Sequence, residues 1–109
     1  MTRLDEADGH IVVINTFTVD PAKAEELLRV LVEGTEQVVS KRRGFVSANW
    51  HMAEDKRHVT NYAQWRDRGA IAAMLADPEV RDHMLRAGAL IDRVDPIVYR
   101  LRRTFSTPE

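Results

Sequence analysis

The chain has 109 residues, 44% of them apolar and 30% charged, with 16 Lys and Arg against 17 Asp and Glu and no cysteine. A chain this long forms one domain and sits near the lower end of comfortable stability, so association with a second copy would help it. A net charge of -1 removes any bulk attraction to nucleic acid or acidic lipid, and the lack of cysteine excludes disulfides, thiolate metal sites and cysteine nucleophiles.

Residues 1–9 are polar, hold no apolar h-region and are expected to form a flexible segment. No later apolar run approaches the roughly 20 residues of a membrane span, so a cytoplasmic protein without a membrane partner is expected. His10 to Val19 is dense in β-branched residues and reads as strand one. Asp20-Pro21 then supplies a helix cap followed by proline at the first helical position. Ala24, Leu27, Leu28, Leu31, Val38 and Val39 recur at three- and four-residue spacing, which predicts an amphipathic helix to about Lys41 with Gly34 inside it. Lys41-Arg42-Arg43 puts cations at the helix C-terminus, and Gly44 supplies the stop.

Phe45 to Met52 reads as strand two and Arg57 to Trp65 as strand three, joined by the polar turn Glu54-Asp55-Lys56 into an antiparallel hairpin. Ala70 to Leu75 and Glu79 to Ile91 form one interrupted helix or two short ones, with Asp77-Pro78 favouring a restart. Val94-Asp95-Pro96 closes the helical part, Ile97 to Phe105 is strand four, and residues 106–109 form a frayed tail.

The order β-α-β-β-α-β predicts an α+β domain over residues 10–105 of the ferredoxin-like split type, an antiparallel sheet with helices on one face. Val12, Ile14, Val46, Trp50, Tyr62 and Val98 are expected on the other face, where an apolar surface would favour a homodimer through sheet faces.

In strand three, Asn61, Ala63 and Trp65 share a face by period-2 alternation. An amide and an indole there offer neutral hydrogen-bond donors to an organic ligand whose oxygen gains negative charge. Asn61 could instead satisfy a neighbouring backbone group, and Trp65 could be a core side chain. His51 shares parity with Phe45, Ser47 and Asn49 and could accept a substrate proton near neutral pH, or sit half-exposed beside the turn. Asn15 shares parity with Ile11, Val13 and Phe17 and would face the helices, where a structural hydrogen bond is the simpler role. His10, His58 and His83 lack metal-ligand spacing and no carboxylate cluster joins them, so no metal site is expected.

The strand-one run Val12-Val13-Ile14-Asn15-Thr16-Phe17-Thr18-Val19, the turn Arg43-Gly44-Phe45 leading into Ser47-Ala48, and above all Val59-Thr60-Asn61-Tyr62-Ala63-Gln64-Trp65 resemble the antibiotic biosynthesis monooxygenase family. The likeness covers about residues 10–104 and is nearest to cofactor-independent, quinone-forming members that act on aromatic polyketides. It implies a dimeric α+β barrel with a pocket between helices and sheet in each subunit. A small aromatic, anthrone-like substrate would be deprotonated there, its enolate would reduce dioxygen, and no cofactor would be needed. Asn61, Trp65 and His51 are the expected catalytic residues, and Asn15, Phe17, Tyr62, Met74, Arg81 and Arg86 the expected substrate-binding ones.

Two family positions depart from the pattern. The functional arginine of relatives falls on Leu85, and a tyrosine that some place after the tryptophan falls on Ile71. A haem-degrading monooxygenase of the same fold is one alternative, although it needs a histidine on the helix soon after Trp65, and none occurs before His83. A non-oxidative polyketide cyclase or small-molecule-binding domain is the other.

Overall fold

The computed structural model describes residues 9–108; the N-terminal segment expected to be flexible thus lies, except for Gly9, outside the described residues. Strand β1 spans Ile11–Thr18. Asp20 Oδ1 accepts from the Ala22 N–H at 2.9 Å, and Pro21–Lys23 makes one tight turn that feeds helix α1, Ala24–Gln37. The helix stops four residues short of the expected Lys41, because Val38 leaves the helical region (φ -124, ψ -65) and Val39–Lys41 continues as a separate tight turn.

Strands β2, Phe45–Met52, and β3, His58–Trp65, form the expected hairpin. The following helical stretch is two helices, α2 over Arg68–Ala76 and α3 over Pro78–Gly88. Asp77 separates them: its carboxylate accepts from the N–H groups of Glu79 and Val80, and proline sits at the first helical position.

Strand β4 runs over Arg93–Arg100, four residues earlier than the sequence reading placed it, and Leu101 to Pro108 has no regular structure. Val94-Asp95-Pro96 is therefore part of the strand and not the close of the helix. Proline is tolerated there because β4 is an edge strand, with a ladder on one side only.

The strands lie in the order β2-β3-β1-β4, every neighbour antiparallel, which with the helices on one face is the ferredoxin-like arrangement. Under α1, Phe17, Val19 and Val59 of the sheet pack with Ala24, Leu27 and Leu31, and Ala87 of α3 completes the cluster. A second group of buried side chains, Ile11, Ala63 and Trp65 on the sheet and Val80 on α3, lies toward the other end of the central strands.

The basic run before Gly44 does more than complement a helix dipole. Arg42 Nε lies 2.9 Å from Asp77 Oδ2, and its Nη2 donates to Asp77 Oδ1 and Glu79 Oε1 at 3.2 Å, tying the end of the α1 segment to the α2–α3 junction. That hydrogen bond from Arg42 holds the Asp77 carboxyl below its ordinary 3.8. A carboxyl whose folded value is the lower one stabilises the fold above its unfolded value and ceases to do so as pH falls through the folded value. Asp77→Asn is therefore expected to lower the urea midpoint at neutral pH, with the gap to wild type closing as pH falls below about 4; a gap that stays constant would assign the effect to the cap alone.

Candidate functional site

The register sorts the helix-facing side of the sheet into four cross-strand rows. Phe45, Trp65, Ile11 and Arg100 make the first; Ala48, Ala63, Val13 and Val98 the second; Trp50, Asn61, Asn15 and Pro96 the third; Met52, Val59, Phe17 and Val94 the fourth. The fourth lies in the core beneath α1, and in the first Phe45 meets Trp65 edge-on at 5.5 Å. Between them the second row is built from small side chains and the third from two amides. The second row thus forms an apolar floor beside a polar line, and at its edge-strand end Val98 and Pro96 are exposed.

Asn61 is half-buried and stands directly opposite Asn15. Its Oδ1 accepts from the Asn49 backbone N–H at 3.0 Å, while the Asn49 Nδ2 donates to the Tyr62 carbonyl at 2.8 Å. Because a backbone N–H can only donate, the Asn61 oxygen is assigned and its Nδ2 is turned away from β2, available to donate. Across the strand, Asn15 Oδ1 is buried with no hydrogen-bond partner, an uncommon state for a polar atom and one that invites a donor from a ligand. Asn61 thus fills the structural role and keeps a donor free.

Trp50 flanks this pair on β2. Its ring lies 6.0 Å from that of Phe17, and its Nε1 donates at 3.1 Å to Thr35 Oγ1 of α1, which passes a hydrogen bond to the Leu31 carbonyl at 2.9 Å. Trp50 therefore faces the helices, not the outer face where the sequence reading put it. The cause is an irregularity between Phe45 and Ser47: one extra residue in β2 reverses parity, so Phe45, Ala48, Trp50 and Met52 point one way and Ser47, Asn49 and His51 the other.

The same reversal corrects the placement of His51. It pairs with Thr60 on the outer face, is exposed, and its Nδ1 lies 3.0 Å from the Asn49 carbonyl, away from Asn61. Tyr62 also lies on the outer face, opposite Ile14, and Val98 turns out to face the helices opposite Val13. Trp65 is buried on the helix-facing side, across the second row from Asn61. Phe17 is core, and Met74 is half-buried on α2. Arg81 is exposed and donates from Nε to the Leu75 carbonyl at 3.1 Å, outside the site. Leu85 points to solvent, whereas Arg86 lines a cleft of about 390 Å³ between α1 and α3.

That cleft also holds His83, whose sequence spacing suggested neither a metal site nor a haem ligand. His83 is buried, 5% exposed, on the inward stripe of α3 with Val80 and Ala87. A Cβ at Gly34 would run into the His83 ring, so the glycine inside α1 is the seat of the imidazole. Burial, then the Arg86 charge, hold His83 below the ordinary histidine value, which favours the neutral ring. The stripe Val80-His83-Ala87 and the glycine in α1 were visible signals; their pairing was not. Among the described residues no group of three or more His, Cys, Asp and Glu could hold a metal ion, and no helix is long and apolar enough to cross a membrane.

The model of the antibiotic biosynthesis monooxygenase family matches residues 10–85, and a tetracenomycin-F1 monooxygenase of Streptomyces glaucescens is 34% identical over the whole chain and 98% of its own length. The chain belongs to that family. The enzyme is accordingly a monooxygenase. Its fold is that of the ActVA-Orf6 monooxygenase of Streptomyces coelicolor, solved with nanaomycin D, at a TM-score of 0.85 and 25% identity, covering 94% of this chain and 96% of that one. SnoaB of Streptomyces nogalater, described as a cofactor-independent oxygenase, shares the fold at a TM-score of 0.73 and 24% identity, covering 91% and 99%.

For this monooxygenase the two roles of Asn61 separate by substitution. Asn61→Ala leaves the Asn49 N–H without its acceptor and is expected to cost about 1–3 kcal/mol in urea unfolding, whereas Asn61→Asp keeps an acceptor there and should unfold closer to wild type. Equal losses in both variants would mean that the Asn49 bond does not hold the amide.

Proposed function

We propose that this monooxygenase oxidises a phenolic polycyclic, anthrone-like intermediate to a quinone with dioxygen, through a stabilised enolate and without a cofactor. The single observation that carries the reading is the Asn15–Asn61 pair: an amide whose oxygen is anchored and whose N–H2 is free to donate, opposite an unpartnered buried acceptor, beside an apolar floor. A neutral amide stabilises a developing oxyanion without the cost of a buried charge, and the floor of Ala48, Ala63 and Val13 suits a flat ring system with Trp65 at its end. Support also comes from the relatives, a tetracenomycin-F1 monooxygenase and a fold neighbour that holds nanaomycin D.

In this reaction the substrate loses a proton to give the enolate, and its ring carbon passes electrons to dioxygen to form a carbon-bound peroxide. The peroxide takes up a proton, the hydrogen remaining on that carbon leaves as a proton, and its C–H electron pair closes the carbonyl as the O–O bond breaks, one oxygen staying as the quinone carbonyl and the other leaving as water. The protein binds the rings, holds the enolate oxygen and keeps bulk water out. Dithranol, a dihydroxyanthrone, is expected to drive oxygen uptake above its spontaneous rate with purified enzyme freed of metal and flavin. Asn61→Asp should lower that turnover roughly 10²–10³-fold, since a donor at the oxyanion has become a negative acceptor. No uptake above background, or an unaffected Asn61→Asp, removes the reading; product formation under anaerobic conditions would favour the cyclase instead. The haem-degrading alternative requires an imidazole on the helix that follows Trp65, and α2 has none.

The outer face supports a second copy as partner. Ile14 and Tyr62 lie there half-buried with Ile97 and Tyr99, which are 50% and 44% exposed on the edge strand. A homodimer through this face accounts for side chains that a monomer leaves in water, and Tyr99→Lys is expected to shift light-scattering mass from dimer toward monomer. A wild-type mass of one chain at micromolar concentration would overturn the assignment.

A further inference from the structure

We infer that His83 is the proton acceptor of this site, with the α1–α3 cleft as its route for the proton to bulk water. The inference rests on the enolate chemistry proposed above and supplies the base which that chemistry lacks now that His51 lies on the other face of the sheet.

Placement comes first. Gly34, whose missing side chain makes room for the His83 ring, is followed in α1 by Thr35, and Thr35 is bonded to the Trp50 indole. Trp50 is the direct cross-strand neighbour of Asn61. Adjacent positions on α1 therefore link the imidazole, through Thr35 and the Trp50 indole, to the row of the sheet that holds the amide pair. On its other side the ring forms part of the cleft wall, with Glu26 and Glu33 of α1 and Arg86 of α3 toward the solvent and Leu90 beyond.

The chemistry fits that placement. No described residue hydrogen-bonds to the His83 ring, so the imidazole has a lone pair to offer and no partner fixing its tautomer. Taking the enol or phenol proton breaks the substrate O–H bond and forms an N–H bond, leaving an enolate for Asn61 and an imidazolium. The imidazolium returns its proton to water in the cleft, whose walls also carry Glu26 and Glu33, and the Arg86 charge opposes its persistence. A buried site that excludes water needs such an exit if the base is to be reset after each turnover.

Three measurements test this. With dithranol, wild-type turnover is expected to fall on the acid side as His83 protonates below pH 6.5, the ordinary histidine value. His83→Ala should be slower by roughly 10²-fold at neutral pH and lose that limb, and added imidazole, entering through the cleft, should restore part of the rate. Nitrogen-detected NMR of the wild-type ring should show His83 changing protonation state when alizarin, a phenol already at the anthraquinone oxidation level, is bound. Retention of both rate and acid limb in His83→Ala overturns the inference. So does alizarin binding that leaves the His83 signals unchanged, an arm that needs no variant and survives any folding defect. If wild type fails to oxidise dithranol, the quinone reading falls by itself and the alizarin arm decides His83: coupled signals keep it as the proton acceptor for a phenolic ligand, and unchanged signals remove it.

Discussion

Everything about the site depends on the register between the two central strands. Pairing Ile11 with Trp65 and Thr18 with His58 sets Asn15 directly opposite Asn61, and no other even-numbered slip does so. The two amides then interrupt what would otherwise be a continuous apolar face, dividing the buried side chains into a cluster under α1 and a smaller group around Trp65. A polar row at that level weakens the core of a small domain, since buried amides stabilise less than well-packed aliphatic side chains when their hydrogen bonds are incomplete. The unpartnered Asn15 oxygen shows that they are incomplete here. Natural sequences retain such a defect where it has a use, and the row is where this fold departs most from simple packing.

The helices are arranged around that row. α1 covers the fourth row and is anchored over the third by the Trp50–Thr35–Leu31 hydrogen-bond sequence. α3 leans into α1 at a glycine, which lets an imidazole occupy the helix–helix contact where an aliphatic residue would ordinarily sit. The angle between α2 and α3 is pinned from outside by Asp77, which caps one helix and receives Arg42 from the end of the α1 segment. That pair is partly buried, its side chains 23% and 26% exposed, and it joins elements that the chain sequence holds 35 positions apart. The chain's membership of the antibiotic biosynthesis monooxygenase family goes with this construction, a small sheet-and-helix scaffold with a pair of amides on the helix-facing side of its two central strands.

The elements themselves were legible from periodicity and caps. Asp20-Pro21 and Asp77-Pro78 announced two helix starts, the β-branched density of residues 11–18 announced β1, and the motif ending in Trp65 announced both the face that Asn61 shares and the family. Errors arose where one residue changes the count. The irregularity in β2 after Phe45 has no composition of its own, yet it moved Trp50 inward and His51 outward. Strand β4 began early because a proline that would end a central strand is harmless at an edge, and whether a strand is at an edge is a property of the sheet.

The sequence by itself therefore determined the order of elements, the helix boundaries set by aspartate and proline, and which residues alternate within an uninterrupted strand, because each depends on neighbours within a few positions along the chain. Only the tertiary structure decided that Asn15 meets Asn61, that the Asn61 oxygen is already engaged by Asn49, and that His83 lies against Gly34 rather than in solvent. Those contacts join residues 12 to 49 positions apart, and their partners are chosen by strand register and helix packing, which no local pattern of side chains encodes.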